Sequence, residues 1–197
     1  MEIGEKKQKQ GNYTEKVICI RGTDLNTLIG NSDQKAPERY ILEKNKSKFL
    51  KDGDFVIEIS GGSPTQSTGR IAFIKEDLLK GFGSPLICSN FCKAISLKEK
   101  NLFFYFFFSW KQLYDNGLFF GYEGKTTGIK NFLFDDFVKS YEVLIPPLPI
   151  LQKFQKTVSP IFEQINKNRQ ESTLLASLHD WLLPKLMNGQ VSAKNHV

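Results

Sequence analysis

Two stretches rich in glycine and hydroxyl residues carry the side chains best suited to contacting a polar ligand. The first, Gly61–Gly69 (GGSPTQSTG), is followed directly by Arg70, and the second ends in Gly124–Asn131 (GKTTGIKN). Glycines let backbone N–H groups approach phosphates closely, and hydroxyl, amide and basic side chains hydrogen-bond to phosphates and base edges. Both stretches are therefore predicted to be loops that contact nucleic acid.

The candidate DNA-contacting residues are glycines or carry a hydrogen-bonding group. They are Arg21, Thr23, Gly61, Gly62, Ser63, Thr65, Gln66, Ser67, Thr68, Arg70, Lys125, Thr126, Thr127, Lys130 and Asn131. Gln66 suits a bidentate contact with adenine, and Arg70 one with guanine. An alternative stays open, because Gly-rich segments are commonly plain turns and Arg70 is equally suited to a structural ion pair with Glu58.

Two motifs of DNA-directed or nucleotide-hydrolysing enzymes are present only in part. The phosphate-binding loop needs Gly-x4-Gly-Lys-Ser/Thr. The GKT run at 124–126 supplies its end, but Phe119 stands where the first glycine belongs. The IPPL run at 145–148 lacks the polar first residue and the aromatic last residue with which amino-methyltransferases grip a base. We therefore predict that this chain performs no catalysis and binds no cofactor.

Cysteine and histidine are few and widely spaced. The cysteines are Cys19, Cys88 and Cys92, with no CxxC pair, and the histidines are His179 and His196. This spacing disfavours a zinc site and a disulfide framework, and it predicts buried, reduced thiols. The most apolar run, LFFYFFFSW at 102–110, is far shorter than the roughly 20 residues that cross a bilayer. A cytoplasmic protein without a membrane segment is expected.

The composition suits a globular, basic protein. Hydrophobic residues make up 40% of the 197 residues, so a core can form, and the formal net charge is +6. The sequence pI is about 9.1. A basic balance favours a polyanionic partner. No block of like charge forms a basic tail, so a DNA-binding face has to be assembled by folding.

Short β-branched or aromatic runs bounded by turn residues predict strands. These runs are Val17–Arg21, Phe55–Ser60, Arg70–Ile74, Asn90–Leu97 and Tyr141–Ile145. The segment 23–48 is polar, with part of 38–48 predicted as helical. Helical spacing of apolar residues over Leu102–Tyr114 predicts a buried helix.

The C-terminal part has a 4-3 spacing typical of a coiled-coil seam. The seam positions are Phe154, Val158, Ile161, Ile165, Asn168, Ser172, Leu175, His179 and Leu182. If residues 149–187 are helical, they span about 58 Å at 1.5 Å per residue. Pro160 is expected to bend or restart the helix. We predict that Phe154, Val158, Ile161, Ile165, Asn168, Leu175 and Leu182 contact another long helix, in a second copy or in another subunit.

Several motifs, in this order and spacing, resemble the specificity subunits of type I restriction–modification systems. They are IRGTDL at 20–25, DGDFVIEISGGS at 52–63 closing with TGR at 68–70, GKTTGIKN at 124–131 followed by IPPLP at 145–149, and LLPKLMNG at 182–189. The resemblance covers about residues 17–191.

This resemblance implies an architecture. A full specificity subunit carries two target-recognition domains, each reading half of a split DNA target and each followed by a long helix, and the helices pack antiparallel. For this chain it implies an α+β fold. We expect a flexible leader over 1–16, a recognition domain with a mixed, twisted sheet and a few helices over 17–147, a coiled-coil spacer helix over 148–190 and a tail over 191–197.

The resemblance also implies partners. These are double-stranded DNA, methyltransferase subunits, and motor-nuclease subunits in the full complex. Because this chain has one predicted domain and one predicted helix, it is expected to form a homodimer through the C-terminal helix or to pair with another half. A coiled-coil interaction module, or a decoy or adaptor of a DNA-protection system, is the alternative.

Overall fold

The computed structural model describes residues 3–4, 13–28, 36–61, 65–126 and 128–190. Its strands are β1 (Ile3–Gly4), β2 (Tyr13–Ile20), β3 (Glu38–Leu42), β4 (Asp54–Glu58), β5 (Ser60–Gly61), β6 (Ile71–Phe73), β7 (Leu86–Cys88), β8 (Cys92–Ser96), β9 (Glu123–Thr126) and β10 (Ile129–Phe132). Its α-helices are α1 (Leu25–Leu28), α2 (Glu76–Phe82), α3 (Phe103–Asp115), α4 (Phe134–Ser140) and α5 (Leu148–Met187). Short 3-10 helices cover Gly22–Asp24, Glu43–Lys48, Lys100–Leu102 and Leu118–Tyr122.

The strands form three small sheets, with the orders β1-β3-β2-β7, β5-β10-β9 and β6-β4-β8. In the first sheet β2 pairs in parallel with β7, while the other strand pairs are antiparallel. The predicted α+β class is thus confirmed, with the strands divided among separate mixed and antiparallel sheets. Segment 38–48, predicted as partly helical, contains β3 and a 3-10 helix.

The strand β4 joins the parts of the core. Phe55, Val56 and Ile57 are fully buried. Because successive side chains of a strand point to opposite faces, Val56 enters one hydrophobic cluster with Leu25 and Leu86, while Phe55 and Ile57 pack on the aromatic side. The burial of both faces explains why this strand reads as a nearly continuous apolar run.

The helix α3 supplies most of the aromatic core and confirms the helix predicted over Leu102–Tyr114. Phe103, Phe104, Phe107 and Trp110 are buried, at three- and four-residue spacings that place them on one face. Burial of each such ring contributes about 1.5–3 kcal/mol to stability. The helix therefore stabilises the domain that carries the two predicted contact regions.

Four of the predicted strands correspond to β2, β4 with β5, β6 and β8. The strand β2 begins at Tyr13, so the end of the predicted leader belongs to a sheet. The strand predicted over Tyr141–Ile145 was wrong: these residues have no regular structure, and Leu144 is 86% exposed. Without a neighbouring strand edge, their β-branched composition is insufficient, and the segment instead extends along the domain, where Tyr105 Oη donates to the Leu144 carbonyl.

The predicted loop Gly124–Asn131 is a β-hairpin. The strands β9 and β10 pair antiparallel, with Ile129 opposite Thr126. Gly128 adopts φ +84° in the turn, a conformation that glycine accepts readily and that two-residue hairpin turns require. The prediction as a loop was wrong because a glycine in a turn position was interpreted as a break in structure.

The long helix predicted over 149–187 is confirmed as α5, which spans 40 residues. The helix runs through Pro160 without restarting. Its first half packs on the domain: Val158 is buried in the aromatic cluster, Phe162 stacks on Phe104 at 5.1 Å between ring centroids, and Arg169 Nη1 donates to the Leu28 carbonyl at 3.0 Å.

The predicted helix–helix seam needs correcting in this first half. Val158 is covered by this chain's own core, Ile165 is half-buried, and Phe154 packs edge-on to Phe108 at 5.9 Å. Ile161 and Asn168 are exposed, and Asn168 Oδ1 accepts a hydrogen bond from Gln164 within the same helix. The domain-facing positions are Leu151, Gln155, Val158, Phe162, Ile165 and Arg169, so two positions of the predicted seam, Val158 and Ile165, face this chain's own domain.

The second half of α5 leaves the domain. From Gln170 to Met187 every residue except Lys185 is exposed, over about 27 Å at 1.5 Å per residue. The exposed apolar side chains of this half are called the distal stripe. They are Leu174, Leu175, Leu178, Trp181, Leu182, Leu183, Leu186 and Met187. The predicted seam residues Leu175 and Leu182 belong to it, at 65% and 36% exposure.

Candidate nucleic-acid interface

A cleft of about 630 Å³ brings together four segments that are distant in the sequence. They are Arg21–Thr23 after β2, residues 58–61 and 66–70 on either side of the first predicted loop, the turn Ser89–Phe91 between β7 and β8, and Ile129 of β10. The parallel pairing of β2 with β7 aligns the ends of both strands, and the Ser89 N–H donates to the Ile20 carbonyl at 2.8 Å. This pairing places the Arg21 region beside the Ser89–Phe91 turn, and the cleft lining contains residues of all three predicted contact segments.

The residues lining the cleft divide by burial into two sets. The buried or half-buried ones, called the floor, are Gly22, Glu58, Ser60, Gly61, Ser67, Thr68, Arg70 and Ser89. The exposed ones, called the rim, are Arg21, Thr23, Gln66, Phe91 and Ile129.

An ion pair between Glu58 and Arg70 dominates the floor. Arg70 Nη2 lies 2.6 Å from Glu58 Oε1 and Arg70 Nε lies 2.8 Å from Oε2, with side-chain exposures of 15% and 6%. This bidentate hydrogen bonding raises the pKa of the Arg70 guanidinium, because Glu58 stabilises its charged form. Arg70 therefore has the structural role that the sequence left as an alternative, and its Nε and Nη2 donors already have a partner.

Two motif glycines make room for this ion pair. A Cβ on Gly22 would lie 2.4 Å from Glu58 Oε1, and one on Gly61 would lie 3.2 Å from the same atom. A third glycine, Gly69, has φ +101° and passes so close to Phe119 that a Cβ would lie 2.6 Å from the ring. The Gly69 carbonyl also accepts a hydrogen bond from Trp110 Nε1 at 2.7 Å. These glycines thus serve the packing of the cleft.

Glu123 ties the first predicted loop to the β9–β10 hairpin. Its Oε1 accepts hydrogen bonds from the Thr68 N–H at 2.7 Å and from Thr68 Oγ1 at 3.2 Å, and its Oε2 pairs with Lys130 Nζ at 3.1 Å. Lys130 Nζ also donates to the Gln66 carbonyl at 3.3 Å, and its side chain is only 15% exposed. Lys130 consequently joins the two predicted contact regions.

The hairpin also pairs directly with the short strand β5. Asn131 lies opposite Ser60, and Ser60 Oγ donates to Asn131 Oδ1 at 2.8 Å. Asn131 is half-buried, and Ser67 is 5% exposed. Several predicted contact residues are thus engaged in holding the loops together.

The rim presents exposed side chains of predicted contact residues. Arg21 is held by Asp24 at 2.9 and 3.0 Å, which raises the pKa of its guanidinium, yet its side chain remains 48% exposed. Thr23, Thr65 and Gln66 are exposed as well. An oriented but accessible arginine beside hydroxyl and amide groups can hydrogen-bond to both phosphates and base edges.

Other predicted contact residues are described only in part. Gly62, Ser63 and Thr127 lie outside the described residues. The structure describes the backbone of Lys125 and Thr126, in β9, but not their side chains.

Sequence reasoning missed three functional candidates. Glu58 was considered only as a partner of Arg70, and Phe91 was placed inside a predicted strand, although it precedes β8 and is 54% exposed. Ile129, at 45% exposure, was taken as part of a loop. A large apolar residue in the polar turn Ser89–Phe91 was the signal that could have identified Phe91.

The cysteines are not arranged as a metal site. Cys19 and Cys92 are buried, and removal of their thiols from water raises their pKa values to about 11 and about 12. In the part of the chain that the structure describes, no group of three or more His, Cys, Asp or Glu could hold a metal ion. Among these same residues, no helix is long and apolar enough to span a membrane.

The sequence matches the model of a known protein family. The model of the type I restriction modification DNA specificity domain matches residues 3–176, which is most of the chain. The chain belongs to this family. Its matched region includes every floor and rim residue of the cleft and the packed half of α5. The predicted resemblance to specificity subunits is therefore confirmed.

One curated relative is the Type I restriction enzyme MjaIX specificity subunit of Methanocaldococcus jannaschii. It is 40% identical over 70 residues, a stretch that is 36% of this chain and 16% of the relative. The specificity domain described here thus matches only a small part of that longer protein.

Proposed function

We propose that this specificity domain binds double-stranded DNA at the cleft and reads one half of a split target. The observation that carries the proposal is an accessible rim of hydrogen-bonding side chains on a floor whose charges are already paired. A reading surface needs donors and acceptors in fixed positions, because base discrimination depends on geometry. The Glu58–Arg70 pair and the Glu123–Lys130 pair supply that rigidity to the Arg21 and Gln66 segments.

The chain is proposed to read DNA and to leave chemistry to other subunits. No cofactor is assigned to it. Its proposed partners are methyltransferase subunits, with motor-nuclease subunits in a larger complex, as the family description of a specificity domain supports.

The distal stripe is proposed to join this chain to a second long helix. Six of its eight side chains recur at positions 174, 178 and 181 and at 175, 182 and 186, spacings that place these six along one side of α5. A homodimer formed through this stripe would carry two clefts, and it would read two half-sites separated by a fixed distance.

Selection from a pool of random-sequence duplexes tests the proposed DNA reading. Purified chain is expected to enrich a defined short sequence, and its affinity for the enriched duplex should fall steeply with salt because phosphate contacts release counterions. Failure to enrich any sequence, both alone and with its methyltransferase subunit, would count against the proposal.

A second candidate function is a protein-interaction module, which the exposure of the distal stripe favours. Light scattering on the chain and on the Leu178→Asp variant, combined with the DNA selection, distinguishes the protein-interaction module from the DNA-reading domain. Dimerisation that Leu178→Asp abolishes, together with no enrichment of DNA, would favour the interaction module. Enrichment by the monomeric variant would favour the DNA-reading domain.

A further inference from the structure

Phe91 is an exposed aromatic ring among polar groups at the cleft rim. It lies in the turn between β7 and β8 and is 54% exposed. Arg21, Thr23 and Gln66 line the same cleft. Exposure of a large ring in a hydrogen-bonding surface leaves apolar area in water, and this area is recovered only if a ligand offers an apolar group there.

The backbone of Phe91 is fixed. Its carbonyl accepts hydrogen bonds from the Ile59 N–H at 2.9 Å and from the Ser60 N–H at 3.2 Å. The next residue, Cys92, is buried and begins β8, and its N–H donates to the Ser89 carbonyl at 3.0 Å. The ring is therefore presented from a rigid position, and little backbone freedom is lost when it contacts a ligand.

The major groove of DNA offers one prominent apolar group, the C5 methyl of thymine, and phenylalanine is among the side chains that contact it. Insertion of the ring between base pairs as a wedge requires both ring faces to be free. Phe91 is 54% exposed, so nearly half of its surface is already covered by the protein. This coverage favours contact with a methyl group over insertion.

We propose that Phe91 determines specificity by packing against the C5 methyl of one thymine in the half-site. The inference rests on the proposed DNA-reading function of the cleft. It adds an apolar contact to the hydrogen-bonding residues Arg21 and Gln66, and it assigns a role to a residue that the sequence motifs do not single out.

The test replaces each thymine of the enriched duplex in turn by uracil, which lacks only the C5 methyl. At one position this change is expected to weaken binding by the wild-type chain about fourfold, as loss of one buried methyl group predicts. The Phe91→Ala variant should bind the thymine duplex at least fourfold more weakly than wild type does. The variant should bind the uracil duplex as tightly as it binds the thymine duplex.

Two matched variants serve as controls. Phe108→Ala removes another exposed phenylalanine that does not line the cleft, and Arg21→Gln removes a rim charge. Both are expected to keep the thymine preference. Circular dichroism and the melting temperature are used to check that Phe91→Ala is folded.

The inference is overturned if wild-type chain distinguishes thymine from uracil at no position, or if Phe91→Ala retains the preference. Insertion of the ring between base pairs would also overturn the inference. It would appear as binding that depends on Phe91 but not on the thymine methyl, together with increased fluorescence of a 2-aminopurine placed in the duplex. Failure of the proposed function has a different outcome: no duplex is enriched at all.

Discussion

Arg21 and Arg70 line the same cleft, and each forms a bidentate pair with a carboxylate. The Arg70 side chain is 15% exposed and pairs with Glu58 across two segments, whereas Arg21 is 48% exposed and pairs with Asp24 in the adjoining turn. Because the Arg70–Glu58 pair is buried, it belongs to the scaffold of the cleft. Because Arg21 is exposed, its side chain remains able to contact a ligand. Identical side chains in one cleft thus differ in function because of their depth.

The largest effect is expected from removal of the floor carboxylate. Glu58→Ala leaves the Arg70 guanidinium largely buried without its counter-charge, which should lower the free energy of unfolding by about 3–5 kcal/mol. Urea denaturation measures the loss. Glu76→Ala, which removes an exposed carboxylate paired with Lys80, is the control and should leave the midpoint unchanged. Equal effects of the two substitutions would break the distinction between floor and surface.

Gly22→Ala tests the closeness of the floor packing. The added Cβ would lie 2.4 Å from Glu58 Oε1, so the carboxylate has to shift, and a loss of about 2 kcal/mol is expected from such overpacking. Gly81→Ala in α2 is the matched control because a Cβ there has nothing within 4 Å. That substitution should maintain or raise stability. An unfolding midpoint of Gly22→Ala at the wild-type value would show that the floor is loosely packed.

The pH dependence of stability tests whether the thiol of Cys92, next to the rim residue Phe91, is shielded from water. Burial raises its pKa from 9.0 to about 12 in the folded chain. Between these values the unfolded thiol releases its proton while the folded thiol keeps it, so stability falls as the pH rises above 9, by about 1.4 kcal/mol per pH unit.

Denaturation at pH 8, 9 and 10 measures this decline. The Cys92→Ala variant lacks the contribution of this thiol, so its stability should decline less with pH than that of wild type. Parallel pH dependences would mean that Cys92 titrates in the folded chain as it does when unfolded.

The smallest effect concerns the rim. Arg21→Gln should weaken binding to the enriched duplex about fivefold and reduce the salt slope by about one, as loss of one phosphate contact predicts. Stability should change by no more than about 1 kcal/mol, because the Arg21 side chain is 48% exposed and Asp24 keeps its hydrogen bond from the Arg21 backbone N–H. Lys80→Gln, at an exposed position outside the cleft lining, is the control. An unchanged salt slope in Arg21→Gln would remove Arg21 from the proposed interface.

The spacing of apolar residues was sufficient to predict the helices α3 and α5, and short β-branched or aromatic runs bounded by turn residues were sufficient to predict four strands. The sequence also allowed the Glu58–Arg70 pair as an alternative, because the two residues lie on either side of the loop in one strand–loop–strand unit. The Glu123–Lys130 pair was missed, because it depends on the hairpin register and on contact with Thr68.

The packing of α5 could be predicted from the sequence only in part. The same heptad spacing covers Val158, which packs on this chain's own aromatic core, and Leu175, which is exposed. Hydrophobic spacing identifies a face that prefers burial, but the partner is determined by tertiary packing. The exposure of Phe91 was missed for a similar reason: its apolar character predicted a strand interior.

Hydrogen–deuterium exchange of the chain with and without its enriched duplex tests the central claim most directly. The account predicts that DNA slows amide exchange in residues 21–25, 65–70 and 89–92, while exchange in residues 174–187 stays as in the free chain. Binding of the duplex without any slowing in the cleft segments would contradict the account and place the DNA on another surface.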